Sequence, residues 1–474
     1  MPNNKSTQSS RTLRLRSDER RRLLVIGDIF MAGVALMIAL IIWAVADIGG
    51  AFTMDFLRRT PGWFFLLPLA WPIFMVGLHE EHRSRSTEQT LRGIALAAVL
   101  GFGLYLLVYF TSEPKSLPRR GIAAFVISVS LLELAWRLFY IRMLNAPQFM
   151  RRVLVIGAGE TGTIILKIID SFSPRPFIIA GIIDDDPNKI GTKIADHAVL
   201  GGSECLLETI ERENITDLIV AISGQMKGSM FQALLDAQEA GVDITRMPVA
   251  YEELLNRVPI RYLEADWILR SFVDQARVDA FYELSKRAID ICGGIAGGIV
   301  FCMFFPIVAL ATYLDSGLPI FYSQVRLGKG GKRYRIIKFR TMRQNAEPDG
   351  QPQWAEENDS RATRVGRILR KTHIDELPQI INVLNGEMSL VGPRAERPEL
   401  VDWFQQHVPF YRARLLVKPG ITGWAQVNQD YAATVDETME KLEYDLYYIK
   451  HRSTWMDIRV ILRTPAMVLG LRGR

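Results

Sequence analysis

The run SKRAIDICGGIAGGIVFCMFFPIVALATYLDSG, residues 285–317, decides how this chain is organised. It exceeds the ~20 apolar residues that carry a helix across a bilayer core. Its flanks argue against a crossing. Lys286 and Arg287 begin it and RLGKGGKRYRIIKFR, residues 326–340, follows closely, so both ends carry the charge that marks a cytoplasmic face. Pro306 breaks or kinks a helix in the second half, and Gly293, Gly294, Gly297 and Gly298 weaken the first. A helix over residues 286–314 that enters the bilayer, breaks and returns to the same face reconciles these facts. The alternative is a fifth crossing, which would put the globular part after it outside the cytoplasm.

The chain has 474 residues, enough for two or three domains at roughly 100–200 residues each. Half of it is apolar (49%) although 23% is charged, and the mean hydropathy is +0.10. Membrane segments joined to ordinary globular domains give that combination. The net charge of +6 follows from Lys and Arg gathered on one membrane face, so no nucleic acid partner is expected. Cys205, Cys292 and Cys302 have no metal-ligand spacing and read as reduced residues of a cytosolic setting. The first apolar run is too long for a cleavable leader.

Four apolar runs, residues 23–48, 61–78, 94–110 and 121–140, predict a bundle of four transmembrane helices within residues 23–142. Before them, a tail over residues 1–22 crowds Arg11, Arg14, Arg16, Arg20, Arg21 and Arg22 together, which places the amino terminus inside. The loop HEEHRSRSTEQTLR and the exit RMLNAPQFMRR are then cytoplasmic, whereas the outer loop TSEPKSLPRR is more basic than this topology prefers. Asp28 and Glu133 interrupt two runs and call for snorkelling or pairing.

From Arg151 the pattern alternates strands and helices over residues 150–275. RRVLVIGAGETGTIILKII is a strand, then Gly157, Gly159 and Gly162 in GxGxxG spacing, then a helix. A second strand ends in Asp184, Asp185 and Asp186, placed for a ribose hydroxyl. This is an α/β Rossmann-like pattern. It reads either as a nucleotide or NAD-like site or as a structural domain whose glycines serve close packing.

In the last part, residues 281–474, an α+β domain carries KTHIDELPQIINVLNGEMSLVGPRAE, residues 371–396. THID fits a capping box from Thr372 to Asp375, Pro378 is tolerated only in a first helical turn, and Asn385-Gly386 is a stop. The spacing predicts a helix from Asp375 to Asn385 with Asp375 and Glu376 at its amino end, where the dipole favours anions. Arg364, Arg367, Arg370, Lys371, Arg394 and Arg397 surround it. Cations that offset phosphate charge, beside a carboxylate able to attack phosphorus or hold a divalent metal, suit pyrophosphate chemistry. KPGITG adds Gly420, Thr422 and Gly423 as a phosphate cradle.

KFRTM, DELPQIINVLNGEMSLVGPR, KPGITGWAQV and LEYDLYYIK, in that order after a proline-broken apolar helix, resemble the bacterial sugar transferase family. These are monotopic phosphoglycosyl transferases, and the whole chain is similar to the large members that start exopolysaccharide or O-antigen assembly at the cytoplasmic face of the bacterial inner membrane. The resemblance implies transfer of a hexose 1-phosphate from a UDP-sugar to undecaprenyl phosphate with release of UMP. It implies Asp375 as nucleophile of a ping-pong reaction, Glu376 as the ligand of Mg²⁺, and Arg370 and Arg394 on the phosphates. Lys338, Arg340 and Asp445 match further polar positions of that site. Two residues depart from the family pattern: Ala395 replaces a proline after Pro393-Arg394, and Phe305 replaces a serine before Pro306. A homodimer through the cytoplasmic domains is a reasonable expectation.

The competing reading is a membrane-anchored, NAD-dependent nucleotide-sugar epimerase or dehydratase, for which Tyr282–Lys286 and Tyr334–Lys338 supply YxxxK pairs. A non-catalytic nucleotide-sensing scaffold is a further alternative. The end of the chain, WMDIRVILRTPAMVLGLRGR, either lies along lipid headgroups or packs on the domain.

Overall fold

The computed structural model describes residues 17–48, 52–75, 78, 87–111, 119–144, 150–262, 280–343, 361–429 and 434–468. Arg11, Arg14 and Arg16 of the tail and most of the three loops used for topology lie outside the described residues. The chain divides into two compact units, Met1–Ala250 and Tyr251–Arg474.

In the first unit, apolar helices run over Ser17–Ile48, Thr87–Thr111 and Arg119–Leu144. Among the described residues three helices are long and apolar enough to cross a membrane: Glu19–Ala46, Arg119–Met143 and Ala280–Ser316. The 25-residue helix Thr87–Thr111 also has the length of a crossing. The second expected run differs. It forms a 3₁₀ turn, Gly62–Leu66, and a short helix, Leu67–Phe74, because Pro68 and Pro72 interrupt the backbone hydrogen bonding. Ala32, Ala35, Ala39 and Ala44 are buried on the first helix, which packs along Arg119–Leu144, and such small residues let two apolar helices approach closely.

Pairing, not snorkelling, satisfies Asp28. It is fully buried and accepts from Arg137 Nε at 3.2 Å, and Arg137 also donates to the Leu78 carbonyl at 2.8 Å. Arg137→Leu would leave Asp28 buried without its counter-charge, a change that costs about 3–5 kcal/mol. Thermal unfolding in detergent should show that loss, and a midpoint matching that of an exposed Arg142→Leu control would contradict it.

The rest of this unit is a six-stranded sheet in the order β3-β4-β2-β1-β5-β6, built from β1 (Arg152–Ile156), β2 (Ile178–Ile183), β3 (Lys193–Ile194), β4 (His197–Gly201), β5 (Asp217–Val220) and β6 (Asp243–Arg246). All pairings are parallel except β3 with β4. Their buried, near-continuous Ile, Leu and Val reflect helices on both faces of a parallel sheet. The order reverses beside β1, as the Rossmann pattern requires.

The second unit begins with residues 251–262, earlier than the boundary at 275 expected from sequence. Val258 and Ile260 are buried with Trp424, Leu442, Leu446 and Tyr448 in its main core. Val258 N–H donates to the Glu443 carbonyl at 3.1 Å, and Trp424 Nε1 donates to the Asn256 carbonyl at 3.0 Å. Ile260→Ala should therefore destabilise this unit by about 2–5 kcal/mol, the range for emptying a buried aliphatic site. A melting midpoint unchanged from wild type would show that the segment is not part of the core.

The apolar run that opened the question is one 37-residue helix, Ala280–Ser316, with Pro306 inside it. The expected break at Pro306 is thus absent as an end of the helix. One stripe holds it to the unit along its length. Lys286 Nζ donates to the Val391 carbonyl at 3.0 Å, and Asp290 Oδ1 accepts from Ser389 Oγ at 2.8 Å. Leu384 and Ile380 close onto Gly294 and Gly297. Phe301 packs tilted against Phe339, and Phe305 stacks on both Phe339 and Phe321. At the far end Arg340 Nη2 donates to the Ser316 carbonyl at 2.7 Å. Packing on both sides of Pro306 offsets the lost hydrogen bond, and Phe305 contributes it where the family pattern has serine. The opposite stripe, Ile295, Ile299, Met303, Ile307, Leu310 and Leu314, is exposed.

An antiparallel hairpin, β7 (Phe321–Leu327) and β8 (Arg333–Phe339), follows the helix. A short parallel pair, β9 (Ser389–Val391) and β10 (Gly420–Thr422), lies farther along the chain. The helix Thr454–Val468 packs on the domain through buried Met456 and Val460, as the packing reading of that segment expects.

Candidate active site

The basic helix Arg364–Lys371 starts at Thr363, whose hydroxyl accepts from Gly366 N–H at 2.9 Å. Thr372 ends it, with its hydroxyl donating to the carbonyls of Ile368 and Leu369 at 2.9 and 3.2 Å. The expected capping box from Thr372 is therefore not formed. Its hydroxyl closes the preceding helix, and His373 turns the chain at φ +56°. Asp375 and Glu376 then sit on a 3₁₀ turn, Ile374–Gln379, and regular α-helix begins only at Ile380. Pro378 explains the delay, since it has no N–H to give to the Ile374 carbonyl.

Asn382 locks this segment to β8. Its Oδ1 accepts from Ile337 N–H at 3.2 Å, and its Nδ2 donates to the carbonyl of Arg335 at 2.8 Å and to Glu387 at 2.7 Å. That side chain satisfies the free edge of the strand in the way a neighbouring strand would. It thereby sets Lys338 of β8 against Glu376: Lys338 Nζ lies 2.7 Å from Glu376 Oε1. Arg394 Nη2 reaches the same oxygen at 2.6 Å, and Arg394 Nη1 lies 3.4 Å from Oε2.

The two neighbouring acids are driven apart electrostatically. Burial alone would raise the Glu376 carboxyl, but Arg394 and Lys338 outweigh it and hold Glu376 well below the usual carboxylate range. Asp375 moves the other way. Burial and then the Glu376 charge push it up, with Lys338, Arg394 and His373 opposing. No hydrogen bond ties the Asp375 carboxyl among the described residues, whereas Glu376 is saturated on one oxygen. One acid is a fixed anion and the other an untethered, less acidic carboxyl.

The loop after β9 presents Arg394, and four successive carbonyls of that loop are gripped. Pro393 accepts from Gly420 N–H at 2.9 Å, Arg394 from Arg414 Nη2 at 3.1 Å, Ala395 from Arg326 Nη1 at 3.3 Å, and Glu396 from Leu327 N–H at 3.1 Å. Ala395 itself is buried against Tyr334, Ile336, Val383 and Met388, so the loop is fixed without the family's second proline. Gly420 and Gly423, expected in a phosphate cradle with Thr422, also have a packing task. A Cβ on Gly420 would lie 2.1 Å from Gly392 N, and one on Gly423 would lie 2.2 Å from Gly392 O, so these glycines admit the Arg394 loop. The Thr422 hydroxyl is paired with that of Thr464 at 2.8 Å.

Other expected residues scatter. Arg370 stands half-buried in the last turn of the basic helix, and its guanidinium makes no hydrogen bond or ion pair among the described residues. Arg364, Arg367 and Lys371 are exposed on that helix, and Arg397 caps the helix Pro398–His407. Arg340 is buried and directed at the Ser316 hydroxyl and the carbonyls ending the long helix, away from Glu376. Asp445, 1% exposed, is paired with Arg414 at 2.8 Å. Arg414 and Glu396 carry no local sequence signal. Burial would raise Glu396, but Lys441, Arg414 and Arg326 bring it down to about 2.

With this geometry in view, a family profile described as bacterial sugar transferase matches residues 281–470, and one described as a CoA-binding domain matches residues 75–248. The UDP-glucose:undecaprenyl-phosphate glucose-1-phosphate transferase of Xanthomonas campestris pv. campestris is 30% identical over 338 residues, covering 68% of this chain and 67% of that protein. The chain belongs to the bacterial sugar transferase family. A UDP-glucose:undecaprenyl-phosphate glucose-1-phosphate transferase of Caulobacter vibrioides is 40% identical over 192 residues, 40% of this chain and 70% of that one. The UDP-N-acetylgalactosamine-undecaprenyl-phosphate N-acetylgalactosaminephosphotransferase of Aeromonas hydrophila is 39% identical over 226 residues, 48% of this chain. The chain spans about half of the Aeromonas relative's length (53%).

In this family member two of the Rossmann-like glycines are required by the turn and by close packing. A Cβ on Gly162 would lie 2.0 Å from the Gly157 carbonyl, and Gly157 itself has φ +110°. Asp184, expected at a ribose, accepts backbone hydrogen bonds with both oxygens. Its Oδ2 accepts from Ala158 N–H at 2.6 Å and its Oδ1 from Asp186 N–H at 2.8 Å. Only Gly159 faces open space. Of the YxxxK pairs, the first is engaged elsewhere and the second is spread along a strand. Tyr282 and Lys286 both bind Asp457, at 3.2 and 3.0 Å, and burial and that carboxylate push the Tyr282 phenol up, opposite to what a catalytic base needs. Tyr334 and Lys338 lie four residues apart on a strand, ~13 Å along it at 3.3 Å per residue.

For a divalent cation, no cluster of three or more His, Cys, Asp or Glu side chains occurs among the described residues. Mg²⁺ commonly uses one or two carboxylates together with substrate phosphates. Glu376 Oε2, whose contact is the 3.4 Å approach of Arg394, retains capacity for that mode. The donor set fits a cation brought in with pyrophosphate.

Proposed function

We propose that the chain transfers a hexose 1-phosphate from a UDP-sugar to undecaprenyl phosphate and releases UMP, the first membrane step of exopolysaccharide or O-antigen synthesis. The observation that carries this reading is the split acid pair, within the family-matched residues: Glu376 clamped by Lys338 and Arg394, Asp375 beside it and untethered. The names of the Xanthomonas and Caulobacter relatives support the substrate classes.

A carboxylate oxygen of Asp375 attacks the β-phosphorus of the UDP-sugar. The bond from that phosphorus to the bridging oxygen breaks, and the electron pair leaves with UMP. The sugar 1-phosphate is then held as an acyl phosphate on Asp375. A phosphate oxygen of undecaprenyl phosphate attacks the same phosphorus and returns the carboxylate. No proton is needed in either displacement. Arg394 and Lys338, fixed before substrate arrives, stabilise charge on the phosphoryl oxygens, and Arg370 has its guanidinium available for the α-phosphate. Mg²⁺ held through Glu376 would add charge neutralisation on the pyrophosphate when bound.

The long helix is tied at both ends to one globular unit and leaves an apolar stripe exposed, which supports a segment that enters the bilayer and keeps its domain on the cytoplasmic face. Further membrane helices then make the protein multi-pass in the bacterial cytoplasmic membrane, with four crossings and a homodimer as parts of this reading. The epimerase alternative has no support in the first Tyr–Lys pair, engaged by Asp457, or in the second, spread along β8. Detergent-solubilised protein given UDP-sugars, Mg²⁺ and undecaprenyl phosphate should release UMP. No UMP from any UDP-hexose or UDP-N-acetylhexosamine would overturn the reading.

A further inference from the structure

We infer that Arg414, held by Asp445, is a positioning residue of this active site, fixing the backbone of Arg394 so that its guanidinium reaches Glu376. The inference deepens the transfer reading and rests on it. Arg414 is 4% exposed and Asp445 is 1% exposed, so neither is placed to touch a substrate. One guanidinium makes all the links. Arg414 Nη2 donates to the Arg394 carbonyl at 3.1 Å and to Asp445 Oδ2 at 2.8 Å, and Arg414 Nη1 donates to the Tyr411 hydroxyl at 2.6 Å. Glu396 lies 3.6 Å from Arg414 Nη1 as a second counter-charge. Arg394 is therefore gripped at both ends, its carbonyl by Arg414 and its side chain by Glu376 at 2.6 Å.

The parts come from three separate stretches: the Arg394 loop, the 3₁₀ turn Tyr411–Leu416, and the helix Val435–His451. No local motif joins them. A planar guanidinium offers several donors in fixed directions, which is what a carbonyl, a carboxylate and a phenol at different angles require, whereas an ammonium offers one compact centre. Asp445 thus acts two bonds removed from substrate, through Arg414 and the Arg394 backbone. Misplacing a phosphate-binding cation by ~1 Å is enough to cost up to 10²-fold in rate.

A double-mutant cycle tests this. UMP release is measured as kcat and KM for wild type, Asp445→Asn, Arg394→Lys and the double variant, with the melting midpoint of each. Asp445→Asn alone should lower kcat about tenfold. In the Arg394→Lys background the same substitution should cost less than twofold, because the group it positions has already been altered. A role confined to folding would reduce the active fraction equally in both backgrounds, and equal fold-losses would overturn the inference. So would an Asp445→Asn enzyme with wild-type kcat. Should Asp445→Asn fail to fold, Arg414→Lys takes its place in the cycle, with the same outcomes. A wild type that releases no UMP is a different failure, of the transfer reading itself.

Discussion

Replacing Asp375 by Asn lowers UMP release by roughly 10⁴-fold or more, the scale of removing a covalent nucleophile, while the protein keeps its melting midpoint. The substitution preserves shape and removes only the attacking charge. Asp375 makes no hydrogen bond among the described residues, so little structure depends on it. The pH dependence should carry the same signature. Burial and the neighbouring Glu376 charge raise the Asp375 carboxyl, and the attacking form is the ionised one. Activity is therefore lost as pH falls through a value above that of an ordinary aspartate, and is complete above it. An acid limb at or below the ordinary aspartate value would mean that another group attacks.

Glu376→Gln lowers kcat by about 10²–10³-fold, the usual effect of removing one preorganised charge from such a site. The amide keeps a contact with Lys338 and Arg394 but not the charge that holds both cations in place. It also removes the like-charge neighbour of Asp375. The Asp375 carboxyl then falls, and the acid limb of the pH profile moves to lower pH. Reduced activity with an unmoved acid limb would separate Glu376 from the ionisation of Asp375 and contradict the paired arrangement.

Residues close in sequence were legible where the constraint is local. The strand–glycine–helix order gave the parallel sheet, and the acid pair with Arg394 gave the centre of the site. The capping box failed for a local reason too, since Pro378 delays the α-helix and frees Thr372 to end the helix before it. What could not be read depends on long-range contacts. Asn382 substitutes for a strand, Arg414 bridges three distant stretches, and residues 251–262 pack with Trp424, Leu442, Leu446 and Tyr448, more than 150 positions away. Asp445 and Arg340 were found as polar residues, but only packing shows that their bonds go to Arg414 and to the end of the long helix. Glycine spacing likewise does not reveal the close backbone contacts that Gly162, Gly420 and Gly423 make.

The central claim is a covalent phosphosugar on Asp375. Incubation of the purified protein with a UDP-sugar and Mg²⁺, without undecaprenyl phosphate, followed by acid quench and peptide mass analysis, measures it directly. The account predicts a hexose-phosphate mass on the peptide containing Asp375, discharged by undecaprenyl phosphate and absent from Asp375→Asn. An enzyme that turns over with acceptor present but never carries that mass, or carries it on another residue, would contradict the account.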